Sequence, residues 1–231
     1  MPSLVFLAVA VLSRSVAFSS RRIWPTTTRL GGAASDVSFD EAQTLGANLL
    51  DCFVKKNVDG TPVPDDTRES LTQLLSTTSG ARGYFVMLLT DDEFAPLFAA
   101  SKFDSMLLEP LEANPEISVQ LMTMNVAMST SMAVYHARNG DAQLAAASTL
   151  TSERSVAIVE ALMDRGLTPT LRPALRDLLN TAAADGYDDD GDGNDGSTPE
   201  WSAFLDRWGY DSTQRVAIAG KLARILNNIR S

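Results

Sequence analysis

The stretch Pro115 to Gly140, PEISVQLMTMNVAMSTSMAVYHARNG, decides the fold class. Ile117, Leu121, Met124, Met128, Met132 and Tyr135 recur at three- and four-residue steps, and Val119, Met122, Val126 and Ala133 add apolar groups on the adjoining faces. A helix apolar round most of its circumference belongs in the middle of a bundle. Asn114 is a candidate N-cap, and Pro115 stands at the first helical position, where its missing N–H removes no intrahelical bond. Asn139-Gly140 stops the helix, and Asp141 caps a second one running to about Arg165. So short a turn makes the two helices antiparallel neighbours. The second is expected to turn Ala147, Leu150, Ala157, Ile158, Ala161 and Leu162 inward, with Ala145 to Ala147 permitting close approach.

Upstream, Ser38 with Glu41 forms a capping box before the stripe Ala42, Leu45, Leu49, Cys52 and Phe53. The stretch 57–64, NVDGTPVP, is a turn, and Asp66 with Glu69 opens another helix carrying Leu71, Leu74 and Leu75. The block Tyr84 to Leu89 has the apolar density of a buried strand. No other segment offers it an alternating partner, so it reads as a short buried helix. Residues 91–114, broken by Pro96 and Pro110, read as two or three short helical pieces.

Downstream, Gly166-Leu167-Thr168-Pro169 breaks the chain, and Leu171 to Ala184 resumes as helix, with Pro173 in its first turn if Thr170 or Leu171 is the cap. The acidic segment that follows, DGYDDDGDGNDGSTPE over 185–200, precedes a short helix marked by Trp201, Phe204, Leu205 and Trp208 and a last one over Asp211 to Ile229. The expected architecture is all-α: a helical bundle over 36–184 around the central buried helix (about 115–138) and its antiparallel partner (about 141–165). An acidic loop, 185–198, then leads to a C-terminal helical pair, 199–231, packed beside the bundle or loosely tethered.

The chain has 231 residues, 45% of them hydrophobic and 21% charged, which suits one globular domain or a domain with a small appendage. One cysteine, Cys52, reads as a small buried apolar residue and needs no oxidising compartment. Formal charge is −10; the first 34 residues hold four Arg and no acid, so the remainder carries −14. That balance repels phosphate backbones and argues against nucleic-acid binding.

Leu4 to Leu12 is a nine-residue apolar run with small residues after it, an expected signal peptide over 1–17. Residues 18–35, FSSRRIWPTTTRLGGAAS, are rich in Ser, Thr and Arg and free of acids, the composition of a transit peptide. A signal peptide, an aromatic Phe18 at the cut and an acid-free segment resemble the two-part presequences of algae whose plastids derive from a red-algal endosymbiont. The resemblance implies import into the plastid; the alternative is a secreted or endomembrane-lumen protein. Past Ser35 no apolar run approaches a bilayer span, so no transmembrane segment is expected in the mature chain.

Two places offer chemistry. Asp188, Asp190, Asp192 and Gly193 fit positions 1, 3, 5 and 6 of a calcium-binding EF-hand loop. Position 12 is Pro199, however, with Glu200 one residue late, and position 8 is Asp195. Ser197 with Glu200 reads as a capping box for the following helix, and the other reading of the segment is a solvated acidic linker. The second place lies on the central helix, where Asn125 and His136 would be the polar contacts of a small-molecule or pigment pocket; the plainer alternatives are back-bonding within the helix and a residue favoured by the helix dipole. Its methionines read as core filler. With one histidine and no nucleophile elbow, Cys-x-x-Cys or phosphate loop, no catalytic set assembles. The expected function is a non-catalytic protein-binding or assembly factor, helped by exposed Trp201 and Trp208. Calcium response through the acidic loop and the bundle pocket are the alternatives.

Overall fold

The computed structural model describes residues 37–99, 103–184 and 198–228. Both presequence segments, and Asp188, Asp190, Asp192, Gly193 and Asp195 of the acidic loop, lie outside the described residues. Every regular element among the described residues is helical, so the fold is an all-α bundle. It divides into two compact units, one running to Leu111 and one from Glu112.

In the first unit, α1 (Phe39–Asp59) opens on the expected capping box: Glu41 N–H donates to Ser38 Oγ at 3.3 Å, and Ser38 N–H to Glu41 Oε2 at 3.0 Å. It ends at Gly60, whose φ of 79° is the left-handed cap conformation and whose N–H donates to Lys56 O. Helices α2 (Thr67–Leu75) and α3 (Thr78–Thr90) follow, then a 3₁₀ turn (Asp92–Phe94), α4 (Ala95–Ala99) and α5 (Ser105–Ala113). The apolar block at Tyr84 is thus a buried helix. What makes α3 possible at that site is two glycines. A Cβ on Gly83 would stand 2.6 Å from Ala42 Cβ and 2.9 Å from backbone of α1, and one on Gly80 would stand 1.9 Å from Leu74 O. The α1 side reciprocates: Gly46 brings its backbone against Tyr84, where an added Cβ would lie 3.1 Å from Tyr84 Cα. The two helices therefore meet almost backbone to backbone, with Leu50, Phe53, Phe85 and Leu88 packed round the crossing.

In the second unit, α6 (Pro115–Arg138) pairs with α7 (Ala142–Leu162), joined through Gly140 at φ 76° and capped by Asp141, whose Oδ1 accepts from Leu144 N–H at 3.0 Å. A single π turn (Met163–Leu167), with Gly166 at φ 109°, redirects the chain into α8 (Thr168–Ala184). That helix begins earlier than expected, and Pro173 lies inside it rather than in its first turn. Helices α9 (Pro199–Trp208) and α10 (Ser212–Asn228) complete the unit. Helix α9 packs on α8, and α10 packs on both α6 and α8.

Helix α6 is the centre of its unit, but it is rotated from the expected orientation. The stripe chosen from the sequence is the less buried one: Ile117, Met124, Met128 and Met132 are half-buried and Tyr135 is 51% exposed. The face turned inward carries Val119, Met122, Val126 and Ala127 together with the hydroxyls of Ser118, Thr123, Ser129, Thr130 and Ser131. Counting apolar residues misjudges this helix because Ser129, Thr130 and Ser131 find bonding partners in the interior, which cancels most of their burial cost, while the buried hydroxyls of Ser118 and Thr123 have none. Leu150 of α7 is likewise exposed instead of inward, while Ile158 and Leu162 are buried as expected.

Candidate functional site

Two of the inward hydroxyls of α6, Thr130 and Ser131, bond neighbouring helices. Ser129 Oγ bonds back to Asn125 O at 2.5 Å, the local pattern that satisfies a hydroxyl inside a helix. Thr130 and Ser131 do otherwise. Thr130 Oγ1 meets Ser152 Oγ of α7 at 2.9 Å in a buried pair, and Gln214 Nε2 of α10 donates to Ser131 Oγ at 2.8 Å. Gln214 is also half of a cap: its Oε1 accepts from Asp211 N–H, and Asp211 Oδ1 accepts from its own N–H, each at 3.0 Å. Asp211 extends the clasp by accepting from Arg138 at the end of α6, 2.5 Å away. The Gln214 amide first, and Arg138 second, hold the Asp211 carboxyl below its ordinary range. Helix α10 is thereby docked at a defined height on α6 by polar contacts at its first turn. Tyr210, just before it, is buried against Phe204 and stacked near Trp208, and burial raises its phenol.

Asn125 and His136 lie on one side of α6, but three turns apart, about 16 Å along the axis. Asn125 is half-buried, and its carbonyl serves Ser129; His136 is buried, with its ring edge-on to Tyr135 at 5.4 Å. The two side chains do not converge on one atom-sized point. Of the four residues expected to hold a cation, only Glu200 is described. Ser197, the expected partner of Glu200 in a capping box, lies outside the described residues; Thr198 is the N-cap of α9, and Glu200 stands in the first turn with its Oε1 accepting from Gln120 Nε2 at 2.8 Å. Thr198 N–H donates to Thr181 Oγ1 at 3.3 Å, so the residues bracketing the acidic segment are held together. Among the described residues, no three His, Cys, Asp or Glu side chains form a metal-ligand group. Trp201, expected as an exposed aromatic, is 6% exposed and packs edge-on to Phe204; the amphipathic α9 needs that ring for its own core. Cys52 is half-buried, and burial pushes its thiol up.

In the first unit the solvent-facing chemistry gathers where α1 ends and α2 begins. Val58 is 69% exposed, and Asp59, Asp65, Asp66 and Glu69 are exposed in the same stretch, as are Lys55, Lys56 and Arg68, which pair with Asp51, Asp104 and Glu109. Asp59 shapes the turn by accepting from Thr61 Oγ1 at 2.6 Å and Thr61 N–H at 2.9 Å, and those bonds hold its carboxyl low. The acidity is a property of the whole unit: residues 37–111 hold 12 Asp and Glu against 5 Lys and Arg, or −7. Residues 112–231 without 185–197 hold 10 of each, or zero. The sequence pass summed charge over the whole chain and so missed this split.

A family model matches residues 38–225 of the chain, covering most of both units. The chain belongs to the family described as Uncharacterised conserved protein UCP020893. No curated protein and no solved structure matches it. The matched span runs from the Ser38 cap into α10. No helix among the described residues is long and apolar enough to cross a membrane.

Proposed function

We propose that this member of the family is a non-catalytic protein-binding or assembly factor of the plastid, and that the acidic corner between α1 and α2 receives a basic patch on its partner. The observation that carries this reading is the charge split: the net charge of −7 sits on residues 37–111, while the rest of the chain outside 185–197 is balanced. A field concentrated on one unit steers an oppositely charged partner to that unit, and the exposed Val58 supplies an apolar contact inside the acidic rim. Thr130, Ser131, Ser152 and Gln214 of the second unit are occupied in joining helices, which gives them a structural part. The test is capture from plastid extract with the tagged protein, at low and high salt, beside an Asp65→Lys/Asp66→Lys variant. A partner released by salt and weakened about tenfold or more by the reversal supports the reading. A partner indifferent to both, or none, removes it.

A second reading, calcium response through the 185–197 segment, draws support from the Thr181–Thr198 bond. A loop that closes on a cation needs its ends held together, and that bond holds them. Calorimetry with calcium decides it: heat that disappears in Asp190→Ala/Asp192→Ala supports the reading, and no heat at millimolar calcium ends it.

A further inference from the structure

Proline stands directly after threonine at three places in the chain, Thr61-Pro62, Thr168-Pro169 and Thr198-Pro199. The fold separates them. Thr168 is the first residue of α8; it is half-buried, and its Oγ1 donates to Met163 O at 3.0 Å. Thr198 is the N-cap of α9, with its hydroxyl oxygen buried and its N–H donating to Thr181 Oγ1 at 3.3 Å. Thr61 differs from both: it is exposed and lies in the stretch 60–64, outside any helix, between α1 and α2. Pro62 disfavours helical backbone at Thr61, and Pro62 and Pro64 each fix their own φ. The stretch is anchored at both ends, where Gly60 N–H donates to Lys56 O and Thr67 N–H to Pro64 O, each at 3.1 Å. Between those anchors the Thr61 hydroxyl donates to Asp59 Oδ1, an exposed carboxylate, at 2.6 Å.

We propose that Thr61 is a phosphoryl-acceptor site for a protein kinase that reads Thr-Pro, and that its phosphate adds to the charge of the acidic corner. Such a kinase must set the acceptor hydroxyl in line with the γ-phosphorus of ATP, so it needs an exposed oxygen on a chain that can lie extended in its cleft. Thr61 meets both needs as folded, whereas Thr168 and Thr198 must first leave a helix end. In the transfer, Thr61 Oγ1 forms the new bond to phosphorus, the bond to the ADP oxygen breaks, and the hydroxyl proton passes to the catalytic carboxylate of the kinase. The phosphate brings a charge of about −2, which takes residues 37–111 from −7 to about −9. Phosphothreonine has lost the proton given to Asp59, whose carboxylate keeps only the Thr61 N–H at 2.9 Å from that residue. The added charge thus stands beside Asp59 and in the same connection as Asp65 and Asp66, and it attracts a basic patch more strongly. That consequence rests on the acidic-corner reading; the acceptor site itself does not.

The experiment is incubation of the purified full chain with a Thr-Pro-directed kinase and magnesium ATP, followed by intact mass and fragment mapping. Phosphate on Thr61 is expected. Thr61→Val should remove it, and Pro62→Ala should slow its addition about tenfold or more; both positions are exposed, and circular dichroism checks that helicity is kept. No transfer to Thr61 of the folded chain, or transfer to Thr168 or Thr198 ahead of it, overturns the proposal. The phosphorylated chain is then compared with the unmodified one in capture from plastid extract. It should hold its partner about threefold or more tightly and release it at higher salt. Phosphate on Thr61 with capture unchanged overturns the link to the acidic corner. A partner captured by neither form removes the acidic-corner reading and leaves the acceptor site supported by the mass measurement.

Discussion

Among the described residues, the first unit buries one polar side chain, Thr67, whereas the second buries eleven polar or charged ones, most of them Ser and Thr on α6 and α7. The first unit gets its specificity from shape: glycines at 46, 80 and 83 admit backbones so close that one arrangement of α1, α2 and α3 fits. The second gets it from bonding, where Thr130–Ser152 and Ser131–Gln214 reward one register of helices that apolar contacts alone would leave free to slide. The lesson is that two helical units of one chain reach a unique packing by different routes. They should therefore break in different ways.

The largest effect is expected where shape leaves no slack. Gly83→Leu should destabilise the first unit by roughly 3 kcal/mol, because Ala42 Cβ at 2.6 Å and the backbone of α1 at 2.9 Å cannot turn aside; urea unfolding followed by far-UV circular dichroism measures it. A loss under half of that would mean that α1 and α3 can separate cheaply. Next comes the hydroxyl pair of the second unit. Thr130→Val alone should cost about 1–2 kcal/mol by stranding Ser152, and adding Ser152→Ala should recover much of it. Tryptophan fluorescence suits this measurement, since Trp201 and Trp208 both report on that unit. Additive losses would show that the pair is incidental.

A smaller effect is expected in acid. The carboxyl of Asp211 is held low in the folded protein, so its contribution is full above the ordinary aspartate value near 3.8 and fades as pH falls through the depressed folded value. Asp211→Asn should lower the melting temperature slightly at neutral pH and converge with the wild type in acid, which flattens that part of the melting temperature against pH profile. If the variant and the wild type lose stability in parallel, other carboxylates govern the acid limb. Smallest of all is Val58→Ala, which should move stability by no more than about 0.5 kcal/mol while weakening capture of a partner at the acidic corner. A marked loss of stability there would turn the exposed valine from a contact into a structural residue.

Much of the fold was legible because local signals were complete. The Ser38–Glu41 box, Pro115 at a helix start and the short Gly140 turn each specify a boundary through atoms a few residues apart, and each is found where expected; α1, by contrast, runs on to Asp59, into the stretch 57–64 that was expected to be a turn. Even the Tyr84 block, ambiguous by itself, resolved correctly once no strand partner was found. The candidate sites were less legible. Asn125 and His136 share a side of the helix, yet periodicity says nothing of the distance that separates them along it. Trp201 looked available for a partner because a sequence shows the ring without the Phe204 contact that covers it. A Gly-x-x-Gly pair at 80 and 83 was a signal within reach, since two glycines one turn apart in a helix mark a close approach.

By itself, the sequence determined most helix boundaries to within a few residues, which helices are antiparallel neighbours, and that the chain carries excess acid. These depend on backbone preferences, caps and composition, all of which act over a few residues or need only a count. Tertiary structure alone decided which face of α6 points inward. An apolar count favoured the methionine stripe, but a hydroxyl that finds Ser152 or Gln214 loses most of its reason to stay in water, and that partner stands 22 or 83 residues away in the chain. The direction in which a helix turns is set by the sum over all its neighbours, and no window of sequence contains them.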